Sequence, residues 1–331
     1  MTDLELYNLH TNPLLSTISF TDEENWLELR TKGIGGSDIG ALMGINKYSS
    51  PLKIYKQKVE NWKEDLSNNV YIKKGKDLED LILDKYVAPS LAKEGYLVGK
   101  PNFMIINSDM PYLRANVDGI AYKPGQTHLE NMIVEIKWVS EHAQVNWNGE
   151  DYCGVPPSYY AQVQLYMAVT GCLKATIFAL FDSTWTVHEY VVPRDDLFIL
   201  KMQTVAKKFY TYNMAMHIPP RLDADLDKDE VISTIKTTPA PSIPNDKMTK
   251  YVLKYKELSN LMKKAEAAEK KLKTEILDLY QQGYCPDDDK LSVKLSVVTT
   301  RRFNTNKFKE ENAAVYEQYC EDSSYSKFNI K

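Results

Sequence analysis

Apolar residues along residues 22–220 recur with two different periods. In MIVEIKWV (132–139), Met132, Val134, Ile136 and Trp138 alternate with Ile133, Glu135, Lys137 and Val139, the two-residue period of a strand. YLRANVDGIAY (112–122) also reads as a strand, and the turn-forming KPGQ between the two predicts a hairpin. KKGKDLEDLILDKY (73–86) and SYYAQVQLYMAVTG (158–171) carry apolar positions at helical spacing instead. Alternating helices and strands predict an α/β (α+β) domain over residues 1–220, with a central mixed sheet flanked by helices. Residues 221–246, rich in Pro, Asp, Thr and Ser, read as a partly extended linker. An accessory module follows over residues 247–331. It comprises a long amphipathic helix across 247–282 stopped by Gly283, a strand or hairpin in LSVKLSVVTTRRF (291–303), and a short helix over 313–320.

Composition narrows the class. With 331 residues, 43% hydrophobic and 26% charged, the chain has enough apolar material for one large core plus an appendage. No stretch has the roughly 18 uninterrupted apolar residues of a membrane helix, and the first residues lack a secretory pattern, so a cytoplasmic protein with no membrane partner is expected. The net charge of −4 argues against coating nucleic acid by bulk electrostatics and confines any such site to a local groove. Cys153, Cys172, Cys285 and Cys320 are scattered without a CxxC pair, and the five histidines lack metal-ligand spacing. Free buried thiols are expected, and zinc chemistry is not.

The chemistry concentrates on the predicted hairpin. Glu135 and Lys137 share one strand face, and Asp118 on the neighbouring strand would bring two carboxylates and an ammonium together. Such a group is costly to bury unless a cation neutralises it. Few, hard oxygen ligands with room for water and phosphate suit Mg²⁺, with Mn²⁺ able to substitute.

Asp118 followed by Glu135, Ile136 and Lys137 resembles the D…ExK signature of the PD-(D/E)xK nuclease superfamily, with Val117 where the family has Pro. RTKGIGGSDIGALMGINKYSSPLKIYKQKV (30–59) resembles the opening motif of the YqaJ-like viral recombinases, relatives of the phage lambda-type alkaline exonucleases. The resemblance implies a restriction-endonuclease-like core in which Arg30 and Ser37 contact a terminal 5′ phosphate. Gly33, Gly35 and Gly36 would free backbone N–H groups beside them. It also implies that Glu79, in the helix 73–86, faces the metal site. Gln162 and Gln164 match the family's QxQ motif but lie roughly 200° apart on a helix, so only one faces the site. The resemblance favours Gln164, with Tyr160 one turn earlier on the same face, as a phosphate or metal-water contact. Asn116 stands where the lambda-type enzyme has a phosphate-contacting serine, which leaves that contact open.

The implied metal ligands are Asp118, Glu135 and the main-chain carbonyl of Ile136, supported by Glu79, with Lys137 positioning the nucleophile. The implied activity is Mg²⁺-dependent removal of the 5′-ended strand of linear double-stranded DNA, leaving a 3′ single strand for a single-strand annealing protein, by a trimeric ring. The alternatives are an endonuclease or nicking enzyme with the same metal site, and a non-enzymatic DNA-end or partner-binding module. Iron–sulfur relatives of the superfamily are disfavoured, because the first cysteine follows Lys137. The tyrosines at 152, 159, 160 and 166 and the basic stretch 293–309, with Arg301 and Arg302, are candidate stacking and phosphate-holding surfaces.

Overall fold

The computed structural model describes residues 7–64, 69–237, 243–287, 291–297, 299 and 301–320. In the first part of the chain run β1 (Leu15–Ser19), α1 (Glu23–Thr31), β2 (Ile34–Gly35), α2 (Gly36–Leu42), α3 (Pro51–Val59), α4 (Val70–Ile82) and α5 (Ala88–Ala92). Then come β3 (Leu97–Gly99), β4 (Phe103–Asn107), β5 (Leu113–Arg114), β6 (Gly119–Tyr122), β7 (Met132–Val139), α6 (Pro157–Thr170), β8 (Lys174–Phe181), β9 (Thr186–Pro193) and α7 (Asp196–Lys208). The central sheet is mixed, as expected, with order β3-β6-β7-β8-β9. Only β7 and β8 are parallel, joined through α6; the other neighbours are antiparallel.

The alternation of β7 sends its residues into two different cores. Met132, Val134 and Ile136 pack with Ile82, Leu83, Val87 and Leu91 at and beyond the end of α4. Ile133 and Val139 join the larger core around α6 on the other face, with Glu135 and Lys137 between them. The strand is therefore anchored by apolar residues on both sides of its charged pair.

Residues 112–122 do not form one strand. Leu113 and Arg114 pair in parallel with Ile34 and Gly35, whereas Gly119–Tyr122 joins the main sheet. Asp118 falls in the break, immediately before β6, and its Oδ2 accepts the Ile136 N–H at 2.8 Å. The connection to β7 makes its turn at Gly125, whose φ of +82° is unstrained for glycine.

The chain divides into two compact units, Met1–Lys228 and Asp229–Lys331. Within residues 221–246, read as an extended linker, α8 (Lys228–Thr237) is helical. Asp227 just before it is buried, accepting hydrogen bonds from Ser50 Oγ and the Asp223 N–H. Beyond it are α9 (Asp246–Gln281), α10 (Thr305–Glu311) and α11 (Ala313–Gln318). Asn245 caps α9 by accepting the Met248 N–H, and Gly283 follows it with a φ of +85°.

The β element of the accessory module is a correction. Residues 291–297 form no strand, although Leu291, Val293, Leu295 and Val297 alternate; residues 298 and 300 of that segment lie outside the described residues. Alternation creates a strand only when a second strand supplies the ladder and a core covers one face, and here Leu291, Leu295 and Val297 are exposed. The cysteines also depart from expectation. Only Cys172 is buried; Cys153, Cys285 and Cys320 are free and exposed. No helix among the described residues is long and apolar enough to cross a membrane.

Candidate active site

An open cleft of about 970 Å³ lies over this part of the sheet, and Asp118, Glu135, Ile136, Lys137, Glu79, Gln162, Arg30, Gly36, Ser37 and Asn116 all line it. Asp118 and Glu135 meet there because β6 and β7 are antiparallel neighbours. Glu135, 1% exposed, takes hydrogen bonds from Lys137 Nζ and from Gln162 Nε2, the latter at 2.6 Å, both on Oε1. Its Oε2 is buried and has no hydrogen-bond partner among the described residues.

Electrostatics follow from this crowding. Burial, then the neighbouring Glu135 charge, push the Asp118 carboxyl well above the usual carboxylate range. Burial also raises Glu135, against the opposing pull of Lys137. For Lys137 burial works to lower the pKa, but Glu135 and Asp118 reverse it and hold the ammonium above its ordinary range. With both carboxylates charged and no cation between them, Lys137 is therefore held as an ammonium, and its Nζ lies 4.9 Å from the Tyr159 ring centroid.

A bare carboxylate oxygen beside a second carboxylate is the donor chemistry that a hard divalent cation satisfies. Among the described residues no three Asp, Glu, His or Cys side chains converge into a protein-only cage. Two carboxylates and a main-chain oxygen would leave coordination positions for water and phosphate, which fits a small octahedral ion. Glu79 faces the same cleft, and its charge adds to the upward push on Asp118 and Glu135. Its Oε1 is also 2.8 Å from Lys100 Nζ, a cation that sequence spacing does not reveal.

The two glutamines are reversed relative to the expectation. Gln162 faces Glu135, and Gln164, fully buried, points away, donating to the Pro193 carbonyl (2.8 Å) and accepting the Asp195 N–H (2.9 Å). Tyr160 lies on the Gln164 side as its spacing requires, with its hydroxyl 3.1 Å from Asp195 Oδ2, and is not in the cleft. The reason is that α6 is enclosed, with every residue from Tyr160 to Thr170 buried. It offers no polar stripe from which its rotational setting can be read.

Tyr166 is a residue that the sequence reading missed in this role. Its hydroxyl accepts a hydrogen bond from Gln162 Nε2 at 3.0 Å, closing a buried chain from Tyr166 through Gln162 to Glu135. The i,i+4 spacing from Gln162 is the signal that could have found it.

Arg30 and Ser37 do come together. Arg30 Nη2 donates to Ser37 Oγ at 2.8 Å, and the guanidinium lies 4.8 Å over the Trp26 ring, whose Nε1 donates to Asn116 Oδ1. Gly36 ties this corner to the carboxylates. A Cβ there would stand 2.6 Å from Tyr166 Cε1 and 2.8 Å from Gln162 Cγ. Gly36→Ala is expected to cost about 1–3 kcal/mol through overpacking and to pull Gln162 off Glu135. Thermal unfolding together with the cleavage rate checks this; an unchanged rate would mean that Gln162 does not act through its contact with Glu135.

Residues 25–173 match the family model of the YqaJ-like viral recombinase domain. The YqaJ protein of Bacillus subtilis (strain 168) is 25% identical over 334 residues, covering 96% of this chain and 97% of that protein. Among solved structures, an alkaline exonuclease from Laribacter hongkongensis aligns with a TM-score of 0.45 at 21% identity, over 58% of this chain and 93% of that one. A phage-related exonuclease from Haemophilus somnus 129PT aligns with a TM-score of 0.37 at 15% identity, over 58% and 100%.

Proposed function

We propose that this chain, whose residues 25–173 match the family model of the YqaJ-like viral recombinase domain, is a Mg²⁺-dependent deoxyribonuclease. It digests the 5′-ended strand of linear double-stranded DNA and leaves a 3′ single strand for an annealing protein. The observation that carries this reading is the pairing of Asp118 with Glu135 beside Lys137 in an open cleft, with Glu135 Oε2 left bare.

Asp118, Glu135 and the Ile136 carbonyl would hold the ion, which when bound neutralises the carboxylates and acidifies a coordinated water. Gln162 and Tyr166 fix the Glu135 rotamer. Lys137 faces the same space as Glu135, where its ammonium would hold the attacking water and offset charge building on the scissile phosphate. Arg30 and Ser37 supply a guanidinium and a hydroxyl at the cleft wall for the terminal 5′ phosphate. A fixed distance between that corner and the carboxylates would set which phosphodiester is cut. The DNA-bound enzyme is a trimeric ring in this reading, which retains substrate without a strongly basic surface.

The test incubates the full chain with linear 5′-phosphorylated duplex and with closed circular DNA, with Mg²⁺ or with chelator, beside Lys137→Gln. Loss of the 5′-ended strand is expected only with metal, a free end and intact Lys137. Cutting of circles would make the protein an endonuclease, and DNA binding without any cleavage would make it a binding module.

A further inference from the structure

Two opposite charges are buried behind Arg30, and the reading above gives them no role. Lys58 on α3 and Asp38 on α2 have side chains only 4% and 3% exposed, with Lys58 Nζ 2.6 Å from Asp38 Oδ2. The same Nζ donates to the Arg30 carbonyl at 2.7 Å. Asp38 Oδ2 also accepts the Gly35 N–H at 2.8 Å, in a capping arrangement. Its other oxygen, Oδ1, stands 3.8 Å from Arg30 Nη2, too far for a hydrogen bond. The carboxylate is thus within reach of two cations and closes on one of them. Burial opposes ionisation of Asp38, but the Lys58 and Arg30 charges outweigh it and hold its carboxyl below the usual range.

A buried ion pair is an inefficient way to join two helices, since apolar residues of similar volume do it as well or better. Its effect on Arg30 is more specific. With Lys58 in place, Asp38 is neutralised, and Arg30 keeps its positive charge, one-third exposed, turned toward Ser37 in the cleft. Without Lys58, Asp38 would be a buried anion whose nearest cation is Arg30. Closing that gap by about 1 Å gives a charge-assisted hydrogen bond and uses up the guanidinium.

We propose that Lys58 is a positioning residue for the terminal-phosphate corner: by occupying Asp38 it keeps Arg30 available to the 5′ phosphate of the DNA end. This rests on the reading that Arg30 and Ser37 receive that phosphate. Lys58 itself does not line the cleft, and its contact with the Arg30 carbonyl also fixes the end of α1 from which the guanidinium extends.

The experiment measures equilibrium binding of the full chain to a fluorescent blunt duplex bearing either a 5′ phosphate or a 5′ hydroxyl, in chelator so that no cleavage intervenes. The readout is the ratio of the two dissociation constants. The wild type is expected to prefer the phosphorylated end by about tenfold or more, the scale of one hydrogen bond between charged groups. Lys58→Met is expected to erase that preference. The double variant Asp38→Asn with Lys58→Met is expected to recover it to within about threefold of wild type, because the introduced amide oxygen still accepts the Gly35 N–H but carries no charge to attract Arg30. The double variant leaves no buried charge unpaired, so it carries the test even if Lys58→Met alone does not fold. A folded double variant as indifferent to the phosphate as Lys58→Met would overturn the proposal in favour of a scaffold or direct-contact role for Lys58. Arg30→Ala separates the two levels of the argument. If it keeps the wild-type preference, Arg30 is not the phosphate receptor, and the reading beneath the proposal falls with it.

Discussion

Asp118→Asn is expected to slow phosphodiester cleavage by about 10³-fold or more, the upper range for removing one preorganised electrostatic group, and yet to raise the melting temperature of the metal-free protein. Both effects come from the same crowding. Asp118 and Glu135 face one cleft with Lys137 as their shared ammonium, and burial with the Glu135 charge holds the Asp118 carboxyl well above its ordinary range. A group whose folded-state pKa is raised contributes stability that is complete below its unfolded pKa and is lost as pH rises through the folded value. The wild type in chelator should therefore lose stability relative to Asp118→Asn as pH climbs from about 4, the ordinary aspartate value, through the raised folded-state value. The gap should close again at the acid end. Each kcal/mol of relieved repulsion corresponds to about 2–4 °C for a unit the size of Met1–Lys228, which holds the site. Mg²⁺ should reverse the order, stabilising the wild type by mass action and leaving the variant nearly unmoved. Thermal melts of the two proteins across pH, with and without Mg²⁺, test all of this; a variant less stable than wild type at alkaline pH in chelator would show that the carboxylates are structural partners rather than a cation site.

The second large effect separates Gln162 from Gln164. Gln162→Leu removes a donor from Glu135 Oε1 and frees the carboxylate to turn, so cleavage or apparent Mg²⁺ affinity should fall by about 10–100-fold, as for other groups that orient a metal ligand. The melting temperature should change little, because the Gln162 amide is lost from a network that Lys137 and Tyr166 still border. Gln164→Leu should do the opposite. It strips the Pro193 carbonyl and the Asp195 N–H of buried partners, at about 1–3 kcal/mol for each group left unsatisfied, while the rate per folded molecule stays near wild type. Steady-state cleavage with Mg²⁺ titration, paired with denaturant unfolding, distinguishes them. Loss of rate in Gln164→Leu at wild-type stability would restore the assignment that the QxQ resemblance favoured.

Local geometry made a large part of this protein legible in the sequence. Alternation along β7 forces Glu135 and Lys137 onto one face and Met132, Val134 and Ile136 onto the other, because successive side chains of a strand project oppositely. Helical spacing gave α9 nearly to the residue, and Gly283 marked its end because only glycine takes a positive φ there without cost. Arg30 and Ser37 were identifiable through the resemblance of residues 30–59 to the family's opening motif. These features depend on neighbours close in the chain.

Only the tertiary structure decided the rest. α6 is buried on all sides, so its rotation, and hence the choice of Gln162 over Gln164, is set by what packs around it and not by any stripe in its own sequence. Alternation in residues 291–297 resembled a strand, but a ladder requires a second strand to receive its hydrogen bonds. The partners of the site's charges lie far along the chain or on other elements: Lys100 for Glu79, Lys58 for Asp38. A buried charge is satisfied by whichever opposite charge the fold brings within about 3–4 Å, and that distance comes from the packing of helices and sheet rather than from sequence spacing.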